Sequence, residues 1–140
     1  MARIIGDKAL NARLTRLARG ADVTPALLKG AERTRTAYIE KLDEISYGRQ
    51  DVRYTPRRVV TVSRPGEPPN TDNGDLKNST GVNSERRNQA EAFASASYAE
   101  ALEYGTDKMK ARPAMNPAFE ETKEQVVQDV AEVLRRHNRG

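Results

Sequence analysis

The scarcity of large apolar side chains is the feature that most constrains how this chain can fold. Nine Leu, four Ile, ten Val and two Phe make up 25 of its 140 residues. A chain of this length has room for one compact domain, and so few large apolar residues give that domain a thin core. Because the chain has no Cys, neither disulfides nor cysteine-bound zinc can strengthen that core. We therefore expect a small domain that gains part of its order from partners.

Charge is distributed unevenly along the chain. Residues 1–58 contain 13 basic and 7 acidic side chains, whereas residues 59–140 contain 11 and 13. We interpret 1–58 as an N-terminal helical segment and 59–140 as an α+β core, the two forming one structural domain. The net charge of +4 is too small to indicate nucleic-acid or membrane binding by itself. The sequence has no apolar run near the roughly 18 residues of a membrane span and no signal-peptide pattern, so we expect a soluble protein that stays where it is made.

Two helices are predicted in the N-terminal segment. The first has its apolar face at Leu10, Leu14 and Leu17, and arginines on its other faces. Those arginines fit either a solvated helix surface or contacts with phosphates, and the solvated surface is the default interpretation. They are Arg13, Arg16 and Arg19, with Arg3 upstream.

The second helix begins at Thr24–Pro25, a hydroxyl cap followed by a proline in the first turn, and is expected to end near Gly48. Its apolar stripe is wider than a thin core is expected to cover, and an exposed stripe of this kind is typical of a protein interface. The candidate interface residues are Leu28, Tyr38, Leu42 and Ile45, and Ala31 belongs to the same stripe.

The central part of the chain indicates short strands. Val59, Val60 and Val62 predict a strand, residues 64–75 an exposed loop rich in Pro, Gly, Asn and Asp, and residues 76–82 a second short strand. In residues 89–98 alanines alternate with polar residues, which favours a strand, whereas alanine propensity favours a helix. The residues alone leave that choice open.

The C-terminal helix is the clearest element of the sequence. It opens at Pro117 and carries apolar residues at helical spacing, with glutamates in its early turns and basic residues in its last. Both charge biases suit the helix dipole. The apolar residues are Phe119, Val126, Val127, Val130, Val133 and Leu134. We predict an amphipathic helix that packs on one face of a small, mostly antiparallel sheet, which gives an α+β fold.

Residues that could carry catalysis or bind metal are few. His137 is the only histidine, which excludes a histidine-rich metal site, and its place in the basic C-terminal tail argues against a catalytic triad. The Asn and Asp residues of 70–75 lack the spacing of a calcium loop, and no glycine-rich phosphate loop is present. We therefore predict no enzymatic activity, no cofactor and no metal site.

Two motifs carry a resemblance to a known family. Residues 97–122, SYAEALEYGTDKMKARPAMNPAFEET, resemble the signature of the phage tail-completion (head–tail connector) family, small neck proteins of long-tailed phages. The matching residues are Tyr98, Ala99, Glu103, Gly105, Thr106, Met109, Ala111, Pro113, Pro117 and Ala118. The family usually has Phe where this chain has Ala114.

Upstream, residues 66–79, GEPPNTDNGDLKNS, are similar to the second motif of that family. The matching residues are Gly66, Glu67, Pro68, Pro69, Asp72, Gly74, Leu76, Lys77 and Ser79, and Asn73 replaces the usual Thr. The resemblance covers roughly residues 59–134, and within it residues 89–98 are expected to form a strand.

The residues of the two motifs are typical of a structural scaffold. Gly105 is expected to permit a turn that a side chain would block, and Pro113 and Pro117 to fix the backbone before the C-terminal helix. Glu103 is expected to be partly buried and to accept hydrogen bonds from backbone N–H groups of the following loop. For Tyr98 and Phe119 plain core packing is expected.

The resemblance implies a structural virion protein. Copies are expected to assemble as a ring in the neck of a virion and to contact head-closure or connector proteins and tail-terminator or tail-tube proteins. DNA would pass through the assembly without specific binding, no membrane partner is expected, and assembly would take place in the host cytoplasm. The alternative function is a basic nucleic-acid-binding module that uses the N-terminal helices.

Overall fold

A computed structural model describes residues 2–4, 20–54, 56–70 and 74–139 of the chain, the first three by their backbone only. Five strands and four helices lie in these ranges. In chain order they are β1 (Ala2–Ile4), α1 (Thr24–Asp43), β2 (Gln50–Tyr54), β3 (Arg57–Thr61), α2 (Asp75–Asn78), β4 (Thr80–Asn83), β5 (Glu91–Ala94), α3 (Ala99–Tyr104) and α4 (Met115–Arg139).

A three-stranded antiparallel sheet has β5 at its centre, between β1 and β4. Ala94 pairs with Ala2 on one side and with Thr80 on the other. Ala92 and Ala94 are buried, whereas the intervening Phe93 lies over Gly81 on the other side of the strand. The alternation of residues 89–98 therefore does mark a strand, as the family resemblance implied. The strand ends at Ala94, because the chain then turns into α3.

Helices α1 and α4 pack along each other, and the sheet lies beside α1. The core between them is built largely of alanine, including Ala31 and Ala92, and its large members are Tyr38, Leu42 and Met115. Small side chains let the elements approach closely, so a few large ones suffice to fill the interior. The predicted α+β fold is confirmed. Helix α4 lies mainly on α1, and its first turn reaches the core beneath the sheet.

The predicted exposed stripe of the second helix is wrong for its central residues. Tyr38 and Leu42 are only 4% and 2% exposed, because the close-packed alanine core covers them. Leu28 is half-buried. The helix also ends at Asp43, five residues before Gly48, since Glu44 is extended. Ile45 lies beyond the helix end and is 65% exposed.

The division of the chain at residue 58 is also corrected. Residues 1–58 are not purely helical, because they contribute β1 and β2, and the boundary runs through β3. Residues 76–82 form a strand only from Thr80, after the single turn of α2. The predicted helix around Leu14 lies outside the described residues.

Two further predictions concern the start of the C-terminal helix and membrane-spanning helices. The C-terminal helix begins at Met115, so that Pro117 lies in its first turn, where a missing N–H costs nothing. No helix among the described residues is both long enough and apolar enough to cross a membrane.

Gly30 sets the distance between α1 and α4. A Cβ atom built on Gly30 would lie 2.6 Å from Cγ2 and 2.9 Å from Cγ1 of Val126. Valine is stiff about its first side-chain torsion, so it cannot swing away cheaply. Gly30 is therefore needed for this approach, although glycine within a helix is otherwise less stable than alanine.

We expect Gly30→Ala to destabilise the protein by about 1–3 kcal/mol, as overpacking of a core does. The double variant Gly30→Ala/Val126→Ala should recover part of that loss, because the smaller side chain removes the clash. Thermal melts of the two single variants and the double variant measure this coupling. Strictly additive effects would contradict the close approach.

Candidate assembly site

Strands β2 and β3 form a hairpin that stands apart from the rest of the molecule. We call residues 50–61 the hairpin arm. None of its described residues is buried, and it makes little contact with any other described helix or strand. Tyr54 and Val59 are 77% and 65% exposed. An uncovered two-stranded hairpin is at best marginally stable in water, so its ends must be held in place.

Three side chains hold the base of the hairpin arm, and we call Ser46, Glu67 and Asn70 the base clamp. Asn70 Nδ2 donates to the carbonyl oxygens of Ser46 at 2.7 Å and Thr61 at 2.8 Å, and its Oδ1 accepts from the Ser46 N–H at 2.8 Å. Ser46 Oγ hydrogen-bonds to Glu67 and accepts from the N–H of Arg64 at 2.9 Å. The second motif thus fixes the point where the arm leaves the body.

The prediction of an exposed loop over residues 64–75 is confirmed for residues 64–67, which are exposed and irregular, whereas the base clamp holds the residues that follow. Within the described part, 64–70 and 74–75, Pro69 is buried and Asn70 is anchored at both ends of its amide. The composition of the segment indicated irregular backbone correctly, but polar hydrogen bonds anchor it where apolar side chains are absent. Residues 71–73 lie outside the described residues.

The pairing of β2 with β3 gives the arm two different faces. Val52 lies opposite Val59 and Tyr54 opposite Arg57, which places these four side chains on one face. Arg53 lies opposite Arg58 on the other face. The repulsion between those two cations is offset, because Asp51 pairs with Arg53 at 3.1 Å and the Pro56 carbonyl accepts from Arg58 at 2.8 Å.

A groove of about 940 Å³ separates the arm from the body, and we call it the arm groove. Exposed Ile45, Tyr47 and Tyr98 contribute to its lining. Several sequence-predicted site residues meet there: Leu42, Ile45, Pro69, Gly74, Leu76 and Tyr98. Tyr98 was expected in the core, but it is 43% exposed because it lies just before α3 at the rim of the groove. Leu28 is not part of the groove.

The first motif caps helix α4. Glu103 is 5% exposed, and its Oε2 accepts from the N–H groups of Ala114 and Met115 at 3.0 Å each, while Oε1 accepts from Asn116 at 2.7 Å. These N–H groups belong to the helix start, where they lack partners within the helix and favour negative charge. The expectation that Glu103 bonds to backbone N–H groups is confirmed.

The Glu103 carboxylate also acts on the buried Tyr38. Burial raises the pKa of the Tyr38 phenol above its ordinary value, and the negative charge of Glu103 raises it further. The phenol therefore stays neutral at physiological pH. The core beneath the first motif thus contains one carboxylate, satisfied by helix N–H groups, and one neutral phenol.

Gly105 makes the turn that follows α3. Its φ of +77° lies in the region that side chains rarely adopt, and an added Cβ would lie 2.8 Å from the Ala111 N atom. The expected turn is therefore confirmed. The loop is closed by Thr106 N–H donating to the Met109 carbonyl at 2.8 Å, and by Arg112 N–H donating to the Leu102 carbonyl at 2.6 Å.

The two motifs are in direct contact. The N–H of Gly66 donates to the carbonyl of Ala111 at 3.0 Å, and Arg112 Nη1 reaches Ser63 Oγ at 3.4 Å. Pro113 follows directly and leads into α4. The turn that positions α4 therefore also supports the loop that anchors the hairpin arm.

The lining of the arm groove provides surface for contacts with another molecule. Among the described residues no group of three or more His, Cys, Asp or Glu could hold a metal ion. His137 is exposed in the last turn of α4, away from the groove lining. The groove offers apolar and aromatic surface beside arginines, a composition typical of protein interfaces.

Sequence reasoning missed strand β2 and the base clamp. Gln50–Tyr54 contains one large aliphatic residue, and Ser46 lies before both motifs. The only available signal was Asn70, which directly follows the two prolines of the second motif.

Comparison with protein-family profiles, with curated proteins and with solved structures found no match to this chain.

We expect Glu103→Gln to destabilise the protein by about 1–3 kcal/mol, because one of the two acceptor oxygens becomes an N–H₂ group facing backbone donors. The exposed Glu124→Gln is the matched control and should change stability by less than about 0.5 kcal/mol. Urea unfolding of both variants measures the difference. Equal stabilities would show that the cap contributes nothing.

Gly105→Val should lower stability by about 1–3 kcal/mol, because a β-branched residue is strained at positive φ and its Cβ meets the backbone of Ala111. Asp107→Val, in the same loop but exposed, should have little effect. Thermal melts compare the two. An unchanged melting temperature for Gly105→Val would mean that the loop rearranges freely.

Proposed function

We propose that this chain is a structural virion protein of the head–tail connector, a tail-completion protein whose copies form an oligomeric ring joining the head connector to the tail. The two sequence motifs that resemble the phage tail-completion family support this proposal. Their residues hold the hairpin arm and α4 in place instead of forming a reactive centre. A role in assembly requires that kind of fixed scaffold.

The observation that carries the proposal is the arm groove. Five motif residues line it, namely Pro69, Gly74, Leu76, Lys77 and Tyr98, and apolar side chains are exposed beside them. An exposed apolar surface next to a positioned arm is typical of a protein-binding site. We propose second copies of the chain, head-closure or connector proteins, and tail-terminator or tail-tube proteins as partners.

The alternative, a nucleic-acid-binding module, places its contacts on the N-terminal helices. In α1, Arg33 lies 3.5 Å from Asp129 and Arg35 lies 3.5 Å from Glu32. These pairs reduce the positive charge that α1 offers to phosphates. Arg13, Arg16 and Arg19 lie outside the described residues, so the protein-assembly function is the one that the described contacts favour.

The neighbouring genes and the particle provide a direct test. We expect a head-closure gene and a tail-terminator gene beside this one, and the chain itself in purified virions at the neck, as seen by mass spectrometry and immunogold labelling. Absence of the chain from virions would refute the proposal.

Ile45→Asp should block the joining of heads to tails, because a carboxylate buried in an apolar contact is costly. Ile45 is 65% exposed, so the variant should still fold, whereas Leu42→Asp would disrupt the core. The variant is supplied to a phage that lacks the gene, and electron microscopy of the lysate should show filled heads without tails. Asn138→Asp, exposed at the end of α4, is the control and should complement normally.

The same assay separates the two functions. Replacing Arg13, Arg16 and Arg19 together by Gln should do less damage than Ile45→Asp, since charges at the rim of an interface act mainly on the rate of encounter. The nucleic-acid alternative expects the opposite order. Tailed particles with Ile45→Asp and none with the triple variant would overturn the assembly function.

A further inference from the structure

The hairpin arm is strongly basic. Residues 50–61 contain three arginines and one acidic residue. Arg57 is exposed beside the outward-facing Tyr54, and no carboxylate among the described residues pairs with it. An arm that presents an aromatic ring and an unpaired guanidinium has the two side chains most enriched at the energetic centres of interfaces.

A second surface of the same chain offers carboxylates, one of which has no ion-pair partner among the described residues. Helices α1 and α4 enclose a shallow groove of about 570 Å³, which we call the helix-pair groove. Glu32, Glu40 and Glu121 line it, and Glu124 is exposed one helical turn from Glu121. Lys41 pairs with Glu121 at 2.5 Å and Arg35 with Glu32 at 3.5 Å, whereas Glu40 has no ion-pair partner among the described residues.

The floor of the helix-pair groove is made of small residues. Thr36, Ala37 and Thr122 lie between the acidic side chains. Small side chains leave room for a planar ring, and the adjacent carboxylates can accept hydrogen bonds from a guanidinium. Lys29 and Arg33 also line the groove, but Arg33 is directed to Asp129 at 3.5 Å.

The hairpin arm does not cover the helix-pair groove of its own chain. The arm groove is lined by the C-terminal end of α1, and its lining shares no residue with that of the helix-pair groove. The base clamp fixes the arm beside the arm groove. Both complementary surfaces are therefore open in one copy.

We infer that the hairpin arm of one copy lies on the helix-pair groove of a second copy, with Tyr54 over the small residues and Arg57 beside Glu40. Two different surfaces meet in this contact, so it is heterologous, and repetition of a heterologous contact gives a ring or an open filament. The inference rests on the proposed ring assembly and names the surfaces that build it. Arg57 on the arm and Glu40 in the groove have opposite charges, and neither has an ion-pair partner among the described residues. This pair argues for a second copy as the occupant.

Exchanging the charges tests this contact in solution. Arg57→Glu and Glu40→Arg should each weaken self-association by about 100-fold, because each brings like charges together. The double variant Arg57→Glu/Glu40→Arg should recover association. An equimolar mixture of the two single variants should recover it as well, since each arm then meets a groove of opposite charge. Light scattering after size-exclusion chromatography, over a range of protein concentrations, measures the oligomer.

Arg139→Glu is the matched control, because it makes the same change of charge at the exposed end of α4. It should leave association unchanged. Circular dichroism should show that every variant folds, as expected for exposed positions. Association of wild type should also weaken as salt is raised from about 0.1 to 1 M.

Three outcomes overturn the inference: single variants that associate like wild type, a double variant and a mixture that do not recover, or a wild-type chain that is monomeric at every concentration. Duplex DNA bound by the wild-type chain and lost on Arg57→Glu, with the oligomer unchanged, would also overturn it by assigning the arm to nucleic acid. The neck function is judged separately by complementation. If the chain joins heads to tails but the charge-exchange experiment does not give the expected recovery, the neck function stands and the proposed contact between copies is refuted.

Discussion

The cap that Glu103 places on α4 is the interaction on which the rest of the structure depends. Three backbone N–H groups at the start of the longest helix find their acceptors in one buried carboxylate. That carboxylate is delivered by α3, so hydrogen bonds tie α3 to the start of α4. A chain poor in large apolar residues needs such polar fixing points, because its alanine core provides close contact but little volume.

The base clamp is a second place where polar hydrogen bonds, and not large apolar side chains, fix the backbone. Asn70 ties together the segments around Ser46 and Thr61 by hydrogen bonds, and the Gly66–Ala111 hydrogen bond connects this clamp to the turn before α4. The two motifs therefore form one continuous polar framework. That framework holds both the start of α4 and the base of the hairpin arm, which belong to the two surfaces that we assign to assembly.

Prediction from the sequence succeeded for the elements whose signals are local. It failed where contacts between distant parts of the chain determine the structure. The charge bias and spacing of α4 and the strand around Val59 follow from neighbouring residues. The cap at Glu103, whose partners lie 11 to 13 residues along the chain, was expected from the motif. The exposure of Tyr38 and Leu42 was mispredicted, because counting large apolar residues ignores how closely alanines allow a sheet and a helix to approach. Strand β2 carries almost no signal of its own, since its pairing with β3 creates it.

The hairpin arm is uncovered in a single copy of the chain, so its stability has to come from its base and from the contact that we propose for it. An isolated hairpin of this composition gains little from its own cross-strand pairs, and two of its arginines face each other across the strands. Its stability in the free chain depends on the base clamp, while its outer face contributes nothing to the core. Covering Tyr54 and neutralising Arg57 would stabilise the arm as well as the contact. Assembly would then complete the burial that this thin-cored domain cannot supply by itself.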